Sequence, residues 1–408
     1  MKNLIVLVII IGLPFFAQSQ IRDLDIARGT DRVELPFEYV NDFIIITVYF
    51  NEVLPLKFIF DTGAEYTIIT KKEITDLLQI DYKKKFSILG ADLSTELYAY
   101  LATGVRLRID DFAAINRSIL VLEEDYFQFE EYAGINIQGI IGSDLFRRFV
   151  VKIDYRKQKI ILIDPSTFEP PGSKYKKLDV EIYRHKPYVF ARTQMQNDTS
   201  IRAKLLLDTG ASLPLLLYTN TNEAINIPEK AIRSNIAMGL GGFIEGYLGR
   251  VQQIQLDEFK LNDVVTNFQE LYMNVDSLKI NDRNGILGNR ILNRFTVIID
   301  YVREDIYLKP EKKFNRKFKY DRSGITVITS GENLNVYTVT RVIPNSPAEE
   351  AGVLPGDEIR SINGSPSLFM SLNSINNKFR KKIGKQIKVV LRRNGEKIKV
   401  RFYLRDLI

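Results

Sequence analysis

The chain contains no cysteine. Disulfides, thiol catalysis, cysteine metal sites and lipid attachment at a cysteine are thereby excluded. An exported chain without disulfides must rely on a packed core, and the 45% hydrophobic content supplies the material for one. There is one histidine, His185. Metal sites built on several histidines, and H-E-x-x-H, are excluded with it. A Ser-His-Asp triad is not formally excluded. His185 stands in Tyr183-Arg184-His185-Lys186-Pro187, which reads as a turn between extended runs, a structural or exposed position. No low-complexity tract signals extensive disorder. One long apolar run exists, at the start, and no second segment is fit to cross a bilayer.

That first run, MKNLIVLVIIIGLPFFAQSQ, has the order of a secretory leader: Lys2, an apolar core, then Ala17-Gln18-Ser19 as a small-x-small cleavage site. An uncleaved anchor is the alternative. The expectation is an exported chain with no stable membrane insertion once the leader is removed. The net charge of +7 comes from 57 basic and 50 acidic residues. Near the C-terminus the basic residues alternate with apolar ones in strand period, the pattern of a solvated sheet face, so nucleic acid is not an expected partner.

The chain repeats itself. KFIFDTGAEYTIIT runs an apolar strand into Asp61, followed by Thr62, Gly63 and Ala64. AKLLLDTGASLPLLL does the same at Asp208, Thr209, Gly210 and Ala211. Downstream, GIIGSDLFRRFVVKIDY around Gly142 answers GILGNRILNRFTVIIDY around Gly288. The first pair is offset by 147 residues and the second by 146. Two distinct motifs at one offset mean a duplicated lobe. Each lobe reads as mainly β. Strands are expected at residues 42–50, 54–60, 66–69, 105–109, 118–122, 150–154 and 159–163, with short helices at 71–78 and 143–149. A Pro/Gly cluster over residues 164–176 joins the lobes.

A bare aspartate at the end of a buried strand is costly unless it is used. Two of them, one per lobe, are placed to meet at the lobe interface and to share one proton. One would stay anionic, as a base toward water. The other would stay protonated, as a donor to a carbonyl oxygen. Thr62 and Thr209 can bond backbone across the interface. Gly63 and Gly210 permit a tight turn and close approach. Gly142 and Gly288 are expected to pack beside the aspartate loops.

At these residues the chain resembles the aspartic proteases of the pepsin and retroviral-protease fold, over roughly residues 32–310. D-T-G-A appears twice, and the apolar-apolar-Gly signature appears at Ile140-Ile141-Gly142 and Ile286-Leu287-Gly288. Two lobes in one chain is the pepsin arrangement; the Gly-Ile-Ile-Gly run before a short helix is closer to the retroviral type. The resemblance implies an aspartic endopeptidase with Asp61 and Asp208 as catalytic dyad, polypeptide substrates, and no metal or organic cofactor. It also implies a flap from each lobe, at residues 88–103 and 238–247. The sequence departs from pepsins there: no residue matches the pepsin flap tyrosine, although Tyr98, Tyr100 and Tyr247 lie nearby. The alternative is an inactive peptide-binding scaffold of the same fold.

After Pro310 the pattern changes. A basic connector, KPEKKFNRKFKYDR, leads to VIPNSPAEEAGVLPGDEIRSINGSP, which resembles a PDZ domain. Ser346 caps a short helix with Pro347 at its first position, Gly352 ends it, and Asn363-Gly364 closes a strand. A helix near residues 368–379 and a hairpin at Asn394-Gly395 complete a small α+β unit. The resemblance implies a ligand strand at an exposed edge, a peptide or C-terminus whose carboxylate is held by backbone amides, with Gly324 and Ile325 as the loop. Together with the leader, it implies a periplasmic protease. The expected organisation is residues 1–19 leader, 20–168 first lobe, 169–312 second lobe and 313–408 PDZ domain. A chain ending near Lys312 is expected to fold by itself.

Overall fold

A computed structural model describes residues 24–26, 31–89, 96–110, 112–239, 242–271 and 283–408. The leader-like residues 1–20 lie outside this set. So do the tips of both flap candidates, residues 90–95 and 240–241. The chain is mainly β, with 50% strand against 10% helix, as the alternating apolar runs demand.

The two lobes have one plan. In the first, strand Leu54–Phe60 lies between the antiparallel strand Phe43–Phe50 and the parallel strand Gly139–Ile141. In the second, Ser200–Asp208 lies between the antiparallel Lys186–Gln194 and the parallel Gly285–Gly288. Both central strands turn wholly apolar just before their aspartates, at Phe58-Ile59-Phe60 and Leu205-Leu206-Leu207, because both faces are covered there. A side-chain latch recurs as well: Gln138 accepts from the Lys57 N–H, and Asn284 accepts from the Lys204 N–H.

The lobes are joined by a six-stranded sheet. The strands that follow helices Ser143–Phe146 and Asn289–Leu292, namely Val150–Asp154 and Phe295–Asp300, pair antiparallel at its centre. Val33, Leu35, Ile160, Leu162, Val297 and Ile299 pack from this sheet into a core that runs through both lobes. The short helices span Lys72–Leu77 and Ser143–Phe146, and the expected strand at 66–69 is reduced to Ile68–Ile69. Residues 66–67 instead turn around Gly142, as described below.

The C-terminal unit is a small sheet whose edge is Ile325–Ser330, with helix Leu372–Phe379 packed against that edge strand. Ser346 caps Pro347–Glu350 by accepting from the Glu349 N–H at 3.3 Å. The unit has its own core, including Val339, Ile359, Ile375 and Phe379. The connector is not the unpatterned spacer its charge suggests. Phe318 and Tyr320 are buried in the two-lobe core, and Phe314 packs against it. Arg294 stacks on the Phe318 ring at 3.6 Å and donates to the Phe314 carbonyl. The chain's end returns to the same place: Ile408 is buried there, and the Leu407 N–H donates to the Tyr320 hydroxyl at 2.6 Å. A chain ending at Lys312 would strip these side chains from the core, so the expectation that it folds alone does not fit the packing.

Candidate active site

The central strands deliver Asp61 and Asp208 to the junction of the lobes. Each carboxylate is hung by one oxygen. Asp61 Oδ1 accepts from the Gly63 and Ala64 N–H groups at 2.7 and 3.2 Å. Asp208 Oδ1 accepts from Gly210 and Ala211 at 2.8 and 3.0 Å. The other oxygen of each carries no such bond.

The threonines tie the two loops together. Thr62 Oγ1 donates to the Leu207 carbonyl at 2.7 Å and accepts from the Thr209 N–H at 3.1 Å. Thr209 Oγ1 donates to the Phe60 carbonyl at 2.7 Å and accepts from the Thr62 N–H at 3.0 Å. Both threonines are fully buried, so four hydrogen bonds satisfy their hydroxyls and N–H groups reciprocally in a dry interface.

The glycines are explained by what faces them. A Cβ on Gly63 would lie 2.7 Å from Asp208 Cγ, and one on Gly210 would lie 2.4 Å from Asp61 Cγ. Each lobe's carboxylate thus rests over the other lobe's glycine. Gly142 and Gly288 do sit beside the loops. A Cβ there would strike the Tyr66 backbone at 2.5 Å or the Leu213 carbonyl at 2.2 Å. Their strands also hold the loops: Asp61 N–H donates to the Ile141 carbonyl, Ser143 N–H to Ala64, and Asn289 N–H to Ala211.

The electrostatics follow from closeness and burial. Burial first, then the Asp208 charge, raises Asp61 well above the usual carboxylate range. Burial also raises Asp208, but a hydrogen bond from Asp61, the Gly210 and Ala211 amides and the Arg283 charge pull it back. The pair therefore shares one proton, and its titration belongs to the dyad as a unit.

Several residues at the site escaped sequence reasoning. Lys186 and Arg283 stand on the second lobe near the dyad, and their charges act on it. Arg283 Nη2 donates to Tyr218 Oη at 3.2 Å, while its Nε is buried without a partner among the described residues. Asp144 accepts from Thr67 Oγ1 at 2.9 Å, and burial pushes its carboxyl up to about 7. The repeat offset itself marks these positions, since Arg283 stands where the first lobe has Ile137, and Asp144 where the second has Arg290. His185 occupies the expected turn, with φ 60° after Arg184 at φ 50°.

A family model described as aspartyl protease matches residues 46–145 and again 194–291. A PDZ domain model matches residues 338–393. The chain carries an aspartyl protease domain in two segments and a C-terminal PDZ domain. No curated protein matches it. The protease segments each contain one D-T-G-A loop and one Gly-apolar-apolar-Gly strand, so both aspartate loops and the glycine strands that hold them lie within the matched residues.

Around the protease junction, the flap candidates form the ends of two hairpins, Tyr82–Leu89 with Glu96–Ile109 and Ile232–Gly239 with Gly242–Leu256. Tyr100 is tied to Glu123 at 2.8 Å, while Tyr98 and Tyr247 are exposed. The PDZ match begins after Gly324 and Ile325, and the structure does not offer these two as free donors. Asp321 Oδ1 accepts from the Ser323 and Gly324 N–H groups at 2.9 and 2.8 Å, and Ser323 Oγ accepts from Ile325 at 3.2 Å. An aspartate two residues before Ser323 is an Asx-turn signal, readable from sequence, that competes for those amides.

Proposed function

We propose that the chain is an aspartic endopeptidase in which Asp61 and Asp208 activate one water against a peptide carbonyl. The observation that supports it most is the crossed seating of the dyad, each carboxylate held by its own loop amides and laid over the other lobe's glycine. Water attacks the carbonyl carbon as its proton passes to Asp208. Asp61 gives its proton to the carbonyl oxygen, forming a neutral tetrahedral diol. The C–N bond then breaks. The nitrogen takes the proton from Asp208, and one diol hydroxyl returns its proton to Asp61. No covalent intermediate is required. The PDZ domain, in this reading, adds a binding surface for polypeptide. The leader-like start supports export, with the periplasm as the compartment.

The test is cleavage of a mixed peptide library by the purified chain, with and without a pepstatin-type inhibitor. Asp61→Asn and Asp208→Asn should each abolish cleavage, since an amide cannot hold the shared proton and members of such a unit are not additive. Thermal midpoints near the parent's would show that folding survives. A single mutant with near-parent turnover would refute the shared-proton site.

A further inference from the structure

The PDZ edge strand Ile325–Ser330 is not open along its length. Helix Phe129–Ala133 of the first lobe packs on it. Thr329, fully buried, donates its hydroxyl to the Glu130 carbonyl at 2.7 Å and to the Glu131 carbonyl at 3.2 Å. The helix is too short to satisfy all its carbonyls internally, so the PDZ hydroxyl meets groups that need a donor. Gly134, at φ 65°, closes the helix beside the first residue of the PDZ helix: its Cβ position lies 3.0 Å from Leu372 Cβ. The other end of the same groove holds Asp321 on the loop amides. Both ends are thus closed by this chain's own residues. A second anchor fixes the arrangement: Arg341, on the neighbouring PDZ strand, donates to Asn235 Oδ1 at 2.6 Å and pairs with Glu245 at 3.2 Å on the second lobe's hairpin.

We propose that residues 128–134 are the resident ligand of the PDZ groove, and that any peptide docking there must first displace them. The groove reads helix-end carbonyls through Thr329, rather than a chain-terminal carboxylate through Gly324 and Ile325. Displacement reaches the cleft wall. Phe129 stacks on Phe127 at 4.7 Å, and both share an apolar cluster with Ile59, on the Asp61 strand, and Ala99, on the first flap hairpin. Competition from the resident segment lowers the apparent affinity for any other peptide by the fraction of molecules in which the groove is open. The proposal concerns binding and stands or falls separately from the catalytic reading.

The absence of cysteine makes a clean test possible. A chain with Gly134→Cys and Leu372→Cys should form one intramolecular disulfide with oxidised glutathione, because the Cβ separation is within a few tenths of an ångström of disulfide range. Mass spectrometry and a reductant-reversible mobility shift report it. An immobilised library of unstructured peptides should then capture more of the reduced chain than of the oxidised one, whose remaining capture is that of the two-lobe cleft alone. Gly134 sits at positive φ, so the cysteine there strains the backbone. Thr329→Val is therefore the second variant: hydrogen exchange at residues 130–134 should quicken by roughly fivefold with the lost hydrogen bond, and library capture should rise. A folded double variant that does not cross-link overturns the docking. Unchanged exchange in Thr329→Val, equal capture, or no capture by any form overturns the resident-ligand role.

Discussion

The two lobes share a machine and differ in the walls around it. The D-T-G-A loops, the threonine bonds, the crowded glycines and the amide latches at Gln138 and Asn284 repeat almost atom for atom. The surroundings do not repeat. Next to the strand that carries the aspartate, the first lobe places Phe43 and Ile45, and the second places Lys186 and Tyr188. Ile137 is answered by Arg283, and Asp144 by Arg290. Ser143 is answered by Asn289, whose amide donates to the Thr209 carbonyl and whose oxygen accepts from Tyr155. Ser143 is too short for the mirror contact and bonds the Glu65 carbonyl instead, so the buried Tyr301 hydroxyl has no partner among the described residues. Duplication kept what the shared proton needs. It released what faces substrate and what only one lobe has to support.

The sharpest way to test the shared part is at the glycines. Gly63→Ala and Gly210→Ala should each cost at least on the order of a hundredfold in kcat, since a Cβ must push the opposite carboxylate out of position. The Cβ clearances, 2.7 and 2.4 Å, are similar, so the losses should be similar. A large inequality, measured on one peptide, would break the symmetry assigned to the dyad.

The next largest effect separates the lobes. The connector and the chain end pack chiefly on the second. Phe314 meets Phe259 and Phe295 edge-on at 5.9 and 5.4 Å, and Arg250 stacks over Tyr320. A chain ending after Lys312 loses several buried side chains at about 1.5–3 kcal/mol each before relaxation. Its unfolding free energy should fall by roughly 3 kcal/mol or more. Outside residues 128–134, which lose their PDZ contacts directly, hydrogen exchange should show the loss first in the second lobe. Equal loosening of both lobes would contradict the packing.

These cases also show what the sequence could tell. The dyad, its threonines and its glycine strands were legible because each signal is local and stated twice. The cap at Ser346 and the positive-φ turns at Asn363 and Asn394 were legible for the same local reason. The docking of Glu130 on Thr329 spans 199 residues and uses carbonyls that any residue has. No side-chain pattern announces it. The connector's aromatics were outweighed by its lysines, although a basic stem can cover apolar surface while its charge stays wet. The Asp144–Thr67 pair needs the turn at Tyr66 to bring the two together, and that turn exists only because Gly142 leaves room for it.

Asp144 gives a third, smaller test. Its folded value of about 7 lies above its unfolded value. The stability it contributes is therefore complete below the unfolded value, near pH 4, and is lost as pH rises through about 7. Above that, the fold carries a buried charge. Asp144→Asn keeps an acceptor for Thr67 and removes the charge. It should raise stability by about 2 kcal/mol at pH 8 and change little at pH 4, as read from urea midpoints. The second lobe, with Arg290 at this position, has no such titration to remove. A variant equally stabilised at both pH values would assign the gain to something other than the carboxylate.

The smallest effect probes the unequal walls through the dyad itself. The acid limb of activity marks protonation of the single anion that the dyad shares. Arg283 favours that anion by its charge, and the buried Ile137 offers the first lobe nothing comparable. Arg283→Met should therefore raise the pKa of the anionic member and move the acid limb of kcat/KM upward by roughly half a unit. The basic limb marks loss of the proton the pair still holds, and should move less, because the arginine charge is felt at Asp208. Lys186→Met separates charge from position. Lys186 faces Asp61, Asp208 and Glu65 together, so its loss should shift both limbs upward rather than one. If Arg283→Met left the acid limb in place while Lys186→Met moved it, the cation that tunes the dyad would be the one on the strand beside Asp208, and the wall asymmetry would act through that strand alone.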